Sequence, residues 1–246
     1  MRSILFFITL FMAGCAYHHN SIDLKPYTKL SSNSMSILTP NSYPNFPWWT
    51  WKINTNKIIA MKRHIPNMMS EDVRITVSIP ERLKESTEKF LIKNFDYEKW
   101  AQDVLSRPDI VANMKERGVT YSKKYIDYIG GLRCGTDVES SNLALGVGSK
   151  RYYTVCGYHD VNGAKKRIDI FYNYTYTNRG TKFEADKTSS TTTPQAMQKQ
   201  FKQDMKAIFD SLVIHDMDRE RMSKEGLLHN KKYDVDTENN VKNACE

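Results

Sequence analysis

Apolar and polar residues alternate most regularly over residues 73–79, where four branched side chains fall on one face: Val73, Ile75, Val77 and Ile79. This alternation predicts a half-buried strand, and Pro80 ends it. A helical segment is expected to follow, beginning with a helix over residues 81–94. Asp96 is a plausible N-cap for a second helix, and Pro108 can begin a third that ends before Gly118.

Residues 119–178 form a series of strand-like runs that Gly, Asn and Ser separate. Asn162-Gly163 is a strong hairpin signal, so the strands on either side of it are expected to be antiparallel neighbours. In the last run, alternate residues share one face: Ile168, Ile170, Tyr172, Tyr174 and Tyr176. The region therefore predicts an antiparallel β-meander with an apolar face.

A final helix is expected to begin at Pro194. Its apolar residues recur at spacings of three and four and form one stripe: Met197, Phe201, Met205, Ile208 and Leu212. The sequence thus predicts an α+β fold, in which an antiparallel β-meander packs against a C-terminal amphipathic helix. The predicted helical segment is inserted after the first strand.

The first fourteen residues have the pattern of a secretory signal, with Arg2, an apolar run over residues 4–12 and small residues after it. The run is too short to span a bilayer as a helix. Met12-Ala13-Gly14-Cys15 resembles the lipobox of bacterial lipoproteins. That resemblance implies cleavage before Cys15 and lipidation of its thiol. The alternative is an ordinary secretory signal that leaves Cys15 as a plain thiol.

Ala16 follows the cysteine at a position where an Asp in many lipoproteins implies inner-membrane retention. The resemblance therefore implies an outer-membrane lipid anchor with the protein body on the periplasmic face. The expected organisation is a signal peptide over 1–14, a lipidated cysteine and flexible tether over 15–45, a binding domain over 46–215, and a charged, loosely held tail over 216–246.

Three further cysteines are then left in an oxidising compartment. Cys134 and Cys156 both lie in strand-like, glycine-flanked surroundings, whereas Cys245 is the penultimate residue of a polar tail. We expect a disulfide between Cys134 and Cys156. Cys245 would be free or would pair with another molecule.

The chain is 40% hydrophobic, enough to form a core, and carries a formal net charge of +8. A basic protein at a membrane surface suggests contact with anionic headgroups or with an acidic protein. Nucleic acid is not expected as a partner, because export removes the chain from the compartment that holds it.

No catalytic or metal-binding motif is evident in the sequence. Cys156 and His159 have a spacing that can bind zinc, but no second pair of ligands lies near them in the sequence. The sequence therefore predicts no cofactor, no metal and no enzymatic activity.

A lipobox, a polar tether and a β-rich domain with an internal disulfide look like the immunity lipoproteins that neutralise phospholipase effectors of the type VI secretion system. The resemblance implies that the chain blocks the lipase active site. Alternatives are an accessory lipoprotein of a secretion or conjugation apparatus and an anchored envelope enzyme. Aromatic and arginine residues are the usual anchors of a tight interface, which gives these partner-binding candidates: Trp48, Trp49, Arg151, Tyr152 and Tyr153. The tryptophans have a competing role as core residues of a first strand.

Overall fold

A seven-stranded antiparallel sheet organises the chain, and a three-stranded sheet lies beside it. The computed structural model describes residues 27–40, 49–64, 71–81, 85–143, 147–177 and 194–237. Its strands are β1 (Tyr27–Ser31), β2 (Met35–Pro40), β3 (Trp49–Asn54), β4 (Lys57–His64), β5 (Glu71–Ser78), β6 (Val119–Ile129), β7 (Leu132–Leu143), β8 (Val147–His159), β9 (Lys165–Thr177) and β10 (Val213–Ile214). Its helices are a 3₁₀ helix (Glu85–Leu91), α1 (Tyr97–Leu105), α2 (Pro108–Glu116), α3 (Pro194–Asp210) and α4 (Arg219–Lys224).

The large sheet has the strand order β3-β4-β5-β9-β8-β7-β6, and β1-β2-β10 form the small one. Strands β6 to β9 are a meander, since each is hydrogen-bonded to the next along the chain. The helical segment follows β5, which is the strand predicted over residues 73–79. The expected α+β class with antiparallel strands is confirmed.

The turn between β8 and β9 forms where Asn162-Gly163 predicted it. Gly163 has a φ of +80°, a conformation that costs glycine little. The carboxylate of Asp160 accepts hydrogen bonds from the backbone N–H groups of Asn162 and Ala164, at 3.0 and 2.8 Å. The side chain thereby fixes the turn and, with it, the register of the two longest strands.

Local signals also set the ends of α1 and α2. Asp96 caps α1 by accepting a hydrogen bond of 3.0 Å from the backbone N–H of Lys99. Pro108 is the first residue of α2, and Gly118 follows that helix with a φ of +65°. The expected helix over residues 81–94 is wrong in type and length, because the structure has a short 3₁₀ helix there.

The main core lies between the large sheet, α3 and the small sheet. Phe201, Met205 and Ile208 of α3 are buried, as their spacing predicted. The ring of Phe201 lies 4.6 Å from that of Tyr172 and 4.8 Å from that of Tyr174, measured between centroids. This aromatic cluster holds α3 on the meander. None of the helices in the described ranges has the length and apolar character needed to cross a bilayer.

The predicted tether over 15–45 is wrong for residues 27–40, which form β1 and β2. Leu30, Met35 and Ile37 are buried in the main core. Strand β2 also pairs with β10, and the backbone N–H of Leu38 donates to the Ser211 hydroxyl at 2.8 Å. The folded domain therefore includes this hairpin, whose partner lies far along the sequence.

The predicted loose tail over 216–246 is wrong for residues up to 237. Met222, Leu227 and Tyr233 are buried in the same core. The backbone N–H of Tyr233 donates to the Asp210 carboxylate at 2.9 Å, and Lys206 donates to the Tyr233 carbonyl at 2.7 Å. A few apolar side chains thus hold a polar segment in place.

Candidate binding surface

The large sheet has two faces with different surroundings. On the inner face, α3 and the small sheet cover the apolar side chains of the meander. On the outer face, the 3₁₀ helix and α1 pack over β6, β7 and β8, where Phe90, Tyr97 and Trp100 meet Ile126 and Val155. Farther along β8, the outer face carries Arg151 and Tyr153, two of the partner-binding candidates predicted from the sequence.

Arg151 and Tyr153 lie on the outer face of β8. Arg151 is exposed, and among the described residues it forms no hydrogen bond or ion pair. The Tyr153 side chain is 37% exposed. Successive side chains of a strand alternate between its faces, so Arg151 and Tyr153 extend from the sheet side by side.

Tyr152 lies between them but faces the core, which corrects its assignment as a partner-binding residue. It is 1% exposed, and its ring lies 5.8 Å from that of Phe201. A partner cannot reach it without displacing α3. The physical reason is the period of two, since neighbouring residues of a strand cannot share a face.

A buried ion pair fixes the position of Tyr153. Arg167 is 5% exposed and donates two hydrogen bonds to the carboxylate of Asp169 on the same strand. The Tyr153 hydroxyl accepts a hydrogen bond of 3.2 Å from Arg167 and donates one of 3.3 Å to Asp169. Burial, together with the negative charge of Asp169, raises the pKa of the Tyr153 phenol. The ring is therefore neutral and held in one orientation.

The side chains opposite Arg151 on both sides bind other residues, although the buried Oδ1 of Asn173 has no hydrogen-bond partner within the described residues. On β7, Glu139 lies opposite Arg151, but its carboxylate accepts two hydrogen bonds of 2.9 and 3.0 Å from Arg117. On β9, Asn173 lies opposite Arg151 and donates to the Thr175 hydroxyl at 3.0 Å. Within the part of the chain that the structure describes, the Arg151 guanidinium consequently keeps all of its donors for a ligand.

Phe171 completes this part of the face, because it lies on β9 directly opposite Tyr153 and is partly buried. We refer to Arg151, Tyr153, Phe171 and Asn173 as the β8–β9 surface. It combines a cation, two aromatic rings and an amide on strands that the core holds rigid. Such a surface can accept a carboxylate on Arg151 and apolar groups on the rings.

The other partner-binding candidates do not join this surface. Trp49 is the first residue of β3, opposite Met61, and three strands separate β3 from β8. At the usual strand spacing this is roughly 19 Å from Arg151. Trp48 and the lipidation candidate Cys15 lie outside the described residues, as does Cys245.

The structure joins Cys134 and Cys156 in a disulfide, the pairing that the sequence analysis expected. The two residues are directly opposite each other on β7 and β8. Within the described ranges, no group of three or more His, Cys, Asp or Glu side chains is arranged to hold a metal ion. The bridge links the strand that carries the β8–β9 surface to its neighbour in the meander.

Sequence reasoning missed Phe171, Asn173 and the ion pair that orients Tyr153. The signal was present in the alternation of β9, where Arg167, Asp169 and Phe171 occupy the face opposite to Ile168 and Ile170. Only the apolar face of that strand was interpreted.

No protein-family model matches this chain, and the search of curated proteins returned no match.

Proposed function

We propose that this chain is an envelope-anchored lipoprotein that binds and neutralises a phospholipase effector of the type VI secretion system. The observation that carries the proposal is the exposed Arg151, which has no hydrogen-bond or ion-pair partner among the described residues, beside the fixed ring of Tyr153. Arginine and aromatic residues are the side chains that most often dominate the energy of a protein interface.

The chemistry of the β8–β9 surface favours a carboxylate-bearing partner. A guanidinium without an ion-pair partner in the described structure can form two parallel hydrogen bonds with an Asp or Glu side chain. Tyr153 is not free to rotate away, because Arg167 and Asp169 hold its hydroxyl. Pre-ordered side chains lose little entropy on binding, which favours a tight complex.

The proposed action is occlusion without catalysis. The bound lipoprotein covers the lipase active site or prevents its opening. The lipid anchor implied by Cys15 confines both proteins to the membrane surface that the lipase attacks. Such confinement raises the effective concentration of the inhibitor without requiring additional contacts.

The test first searches the neighbourhood of this chain's gene for a phospholipase gene and then produces that phospholipase in the periplasm of test cells. We expect the full chain to restore survival and to co-purify with the lipase. Arg151→Glu should abolish both effects, whereas Lys29→Glu, an exposed change on β1 with the same change in charge, should preserve them.

Two results would reject the proposal. One is equal survival with and without the chain, together with no binding between the purified proteins. The other is hydrolysis of lipid or peptidoglycan by the purified chain itself. A gene neighbourhood with secretion-channel genes and no lipase gene would favour an accessory role instead.

A further inference from the structure

Basic side chains gather around the turn between β6 and β7, away from the β8–β9 surface. The C-terminal segment reaches this turn, because the backbone N–H of His229 donates to the Gly131 carbonyl at 2.8 Å. The His229 ring packs edge-on against Tyr128 at 5.0 Å. Lys231 lies over the same tyrosine, with its Nζ 4.7 Å from the centre of the Tyr128 ring.

Two more cations complete the cluster. Arg133 follows the turn and donates to the carbonyl oxygens of Phe95 and Ile92, at 2.7 and 3.5 Å. The stem of Lys93 lies against Gly226, where a Cβ atom would be 2.9 Å from the lysine Nζ. We refer to Lys93, Arg133 and Lys231 as the basic patch.

The positive charge of the basic patch is not balanced within the described residues, where none of its three side chains forms an ion pair. Burial lowers the pKa of His229, and the charges of Lys231, Arg133 and Lys93 lower it further. The three cations therefore lie close enough to His229 to act on it together. Uncompensated cations on a surface attract an anionic partner.

An exposed apolar residue lies next to these cations. Ile92 is 53% exposed and immediately precedes Lys93 on the chain. Lysines with long apolar stems beside an exposed aliphatic side chain are typical of surfaces that contact the headgroup region of a bilayer. A protein carboxylate is usually bound by an arginine fork, but the Arg133 guanidinium already donates to two backbone carbonyls.

We propose that the basic patch docks this domain on an anionic phospholipid bilayer, with Ile92 at the level of the headgroups. The segment from Cys15 to Tyr27 spans at most about 43 Å, so an anchored Cys15 would keep the start of β1 within that distance of the bilayer. This distance depends on the proposed lipid anchor. The charges of the basic patch do not depend on it. Docking would hold the domain in one orientation on the membrane and is independent of the lipase partner.

The test measures co-sedimentation of the full chain carrying Cys15→Ser, so that no acyl chain contributes. The probes are vesicles of phosphatidylcholine alone and vesicles that also contain phosphatidylglycerol, each at low and high salt. The apolar run over residues 4–12 is the same in every variant, so differences between variants report on the patch. Variants that retain the circular dichroism spectrum of the parent chain are compared.

We expect binding to the phosphatidylglycerol vesicles that high salt weakens, because ions screen exposed charges. Lys93→Glu with Lys231→Glu should weaken this binding at least about tenfold, since each cation near an anionic surface strengthens binding roughly fivefold. Lys29→Glu with Lys115→Glu is the matched control and should bind far better than the patch variant. Lys231→Glu alone, at an exposed site, supplies a second variant that leaves the Lys93 contact with Gly226 intact.

Ile92→Ser tests the apolar contact with the bilayer without changing the charge of the basic patch. It should weaken vesicle binding more than the control changes do, because an aliphatic side chain is lost from the headgroup region. Equal binding to neutral and anionic vesicles would overturn the proposal. Equal losses in the patch and control variants would also overturn it, since net charge alone would then explain binding. No lipase is present, so this result is separate from the test of lipase inhibition.

Discussion

The ring of Phe90 lies directly over the α-carbon of Gly135 on β7. A Cβ atom at position 135 would overlap Cζ of Phe90 and would lie 2.8 Å from Cε2 of Tyr97. Gly135 has Val155 beside it on β8 and Ile126 on β6, and both contact the same rings. The missing side chain therefore lets the helical segment lie directly on the outer face of the sheet.

Gly135→Ala is expected to lower the free energy of unfolding by about 1–3 kcal/mol, the usual cost of overpacking. Chemical denaturation of the purified chain measures this change. The matched control is the double variant Phe90→Ala with Gly135→Ala, in which the added methyl group no longer meets the ring. Its loss should be smaller than the sum of the two single losses. Additive losses would show that the Phe90 ring does not restrict position 135.

The C-terminal segment is expected to contribute strongly to stability. Tyr233 is 2% exposed, and its ring meets that of Phe209 edge to face at 4.9 Å. Tyr233→Ala should cost about 3–5 kcal/mol, as for other large aromatic residues removed from a core. Tyr27→Ala is the matched control, since Tyr27 is largely exposed. Similar midpoints of thermal unfolding for the two variants would contradict the placement of this segment in the core.

The N-terminal hairpin and the C-terminal segment show which parts of the fold the sequence could not predict. The cap at Asp96, the turn at Asn162-Gly163 and the stripe of α3 are local patterns, and all three were predicted. Strand β2 pairs with β10, where Ser36 lies opposite Val213, and the nearby Leu38–Ser211 hydrogen bond joins residues 173 positions apart. A short strand has too weak a pattern to predict such a distant partner.

The candidate site, like the fold, depends partly on local sequence patterns and partly on contacts between residues far apart in the chain. The sequence indicated Arg151 and Tyr153 as anchors. The assignment of Tyr152 was wrong because neighbouring residues of a strand lie on opposite faces. The position of Tyr153 depends on Arg167 and Asp169 of β9, which the hairpin register brings to it. That register was predictable from the turn, whereas the packing of the 3₁₀ helix and α1 on the outer face was not.

Asp127 makes stability depend on pH. It lies on β6 with 1% exposure, and its Oδ1 accepts a hydrogen bond of 2.7 Å from the backbone N–H of Tyr128. Its Oδ2 is buried and has no hydrogen-bond partner among the residues that the structure describes. Burial raises the pKa of Asp127 to about 7, with further contributions from the negative charges of Asp234 and Asp210. The carboxyl group is thus protonated in the folded chain over a range where the unfolded chain has lost the proton.

The sign of the effect follows from this difference in proton binding. Between about pH 4 and pH 7 the folded state retains the proton, so the contribution of Asp127 to stability falls as the pH rises. Asp127→Asn removes this contribution. The free energy of unfolding of the variant, relative to that of the parent chain, should therefore rise by up to about 1.4 kcal/mol per pH unit across that range. Denaturation at several pH values measures the gain. Asp103→Asn, at an exposed site on α1, should show no such trend. A parallel pH profile for the parent chain and Asp127→Asn would contradict a buried, protonated Asp127.

Tyr152 and Tyr153 provide a test that separates stability from binding within two adjacent residues. Tyr152→Ala removes a ring that packs against Phe201 in the core, and we expect a loss of about 3–5 kcal/mol in unfolding free energy. Tyr153→Ala removes a half-exposed ring on the other face and should cost far less stability. If the β8–β9 surface contacts the lipase, Tyr153→Ala should nevertheless weaken the complex by at least about tenfold, the range of an interface anchor. Calorimetric titration with the purified lipase, beside denaturation of each variant, measures both quantities. Unchanged affinity in Tyr153→Ala would exclude this ring from the interface, because the variant keeps its fold while losing the side chain that the surface presents.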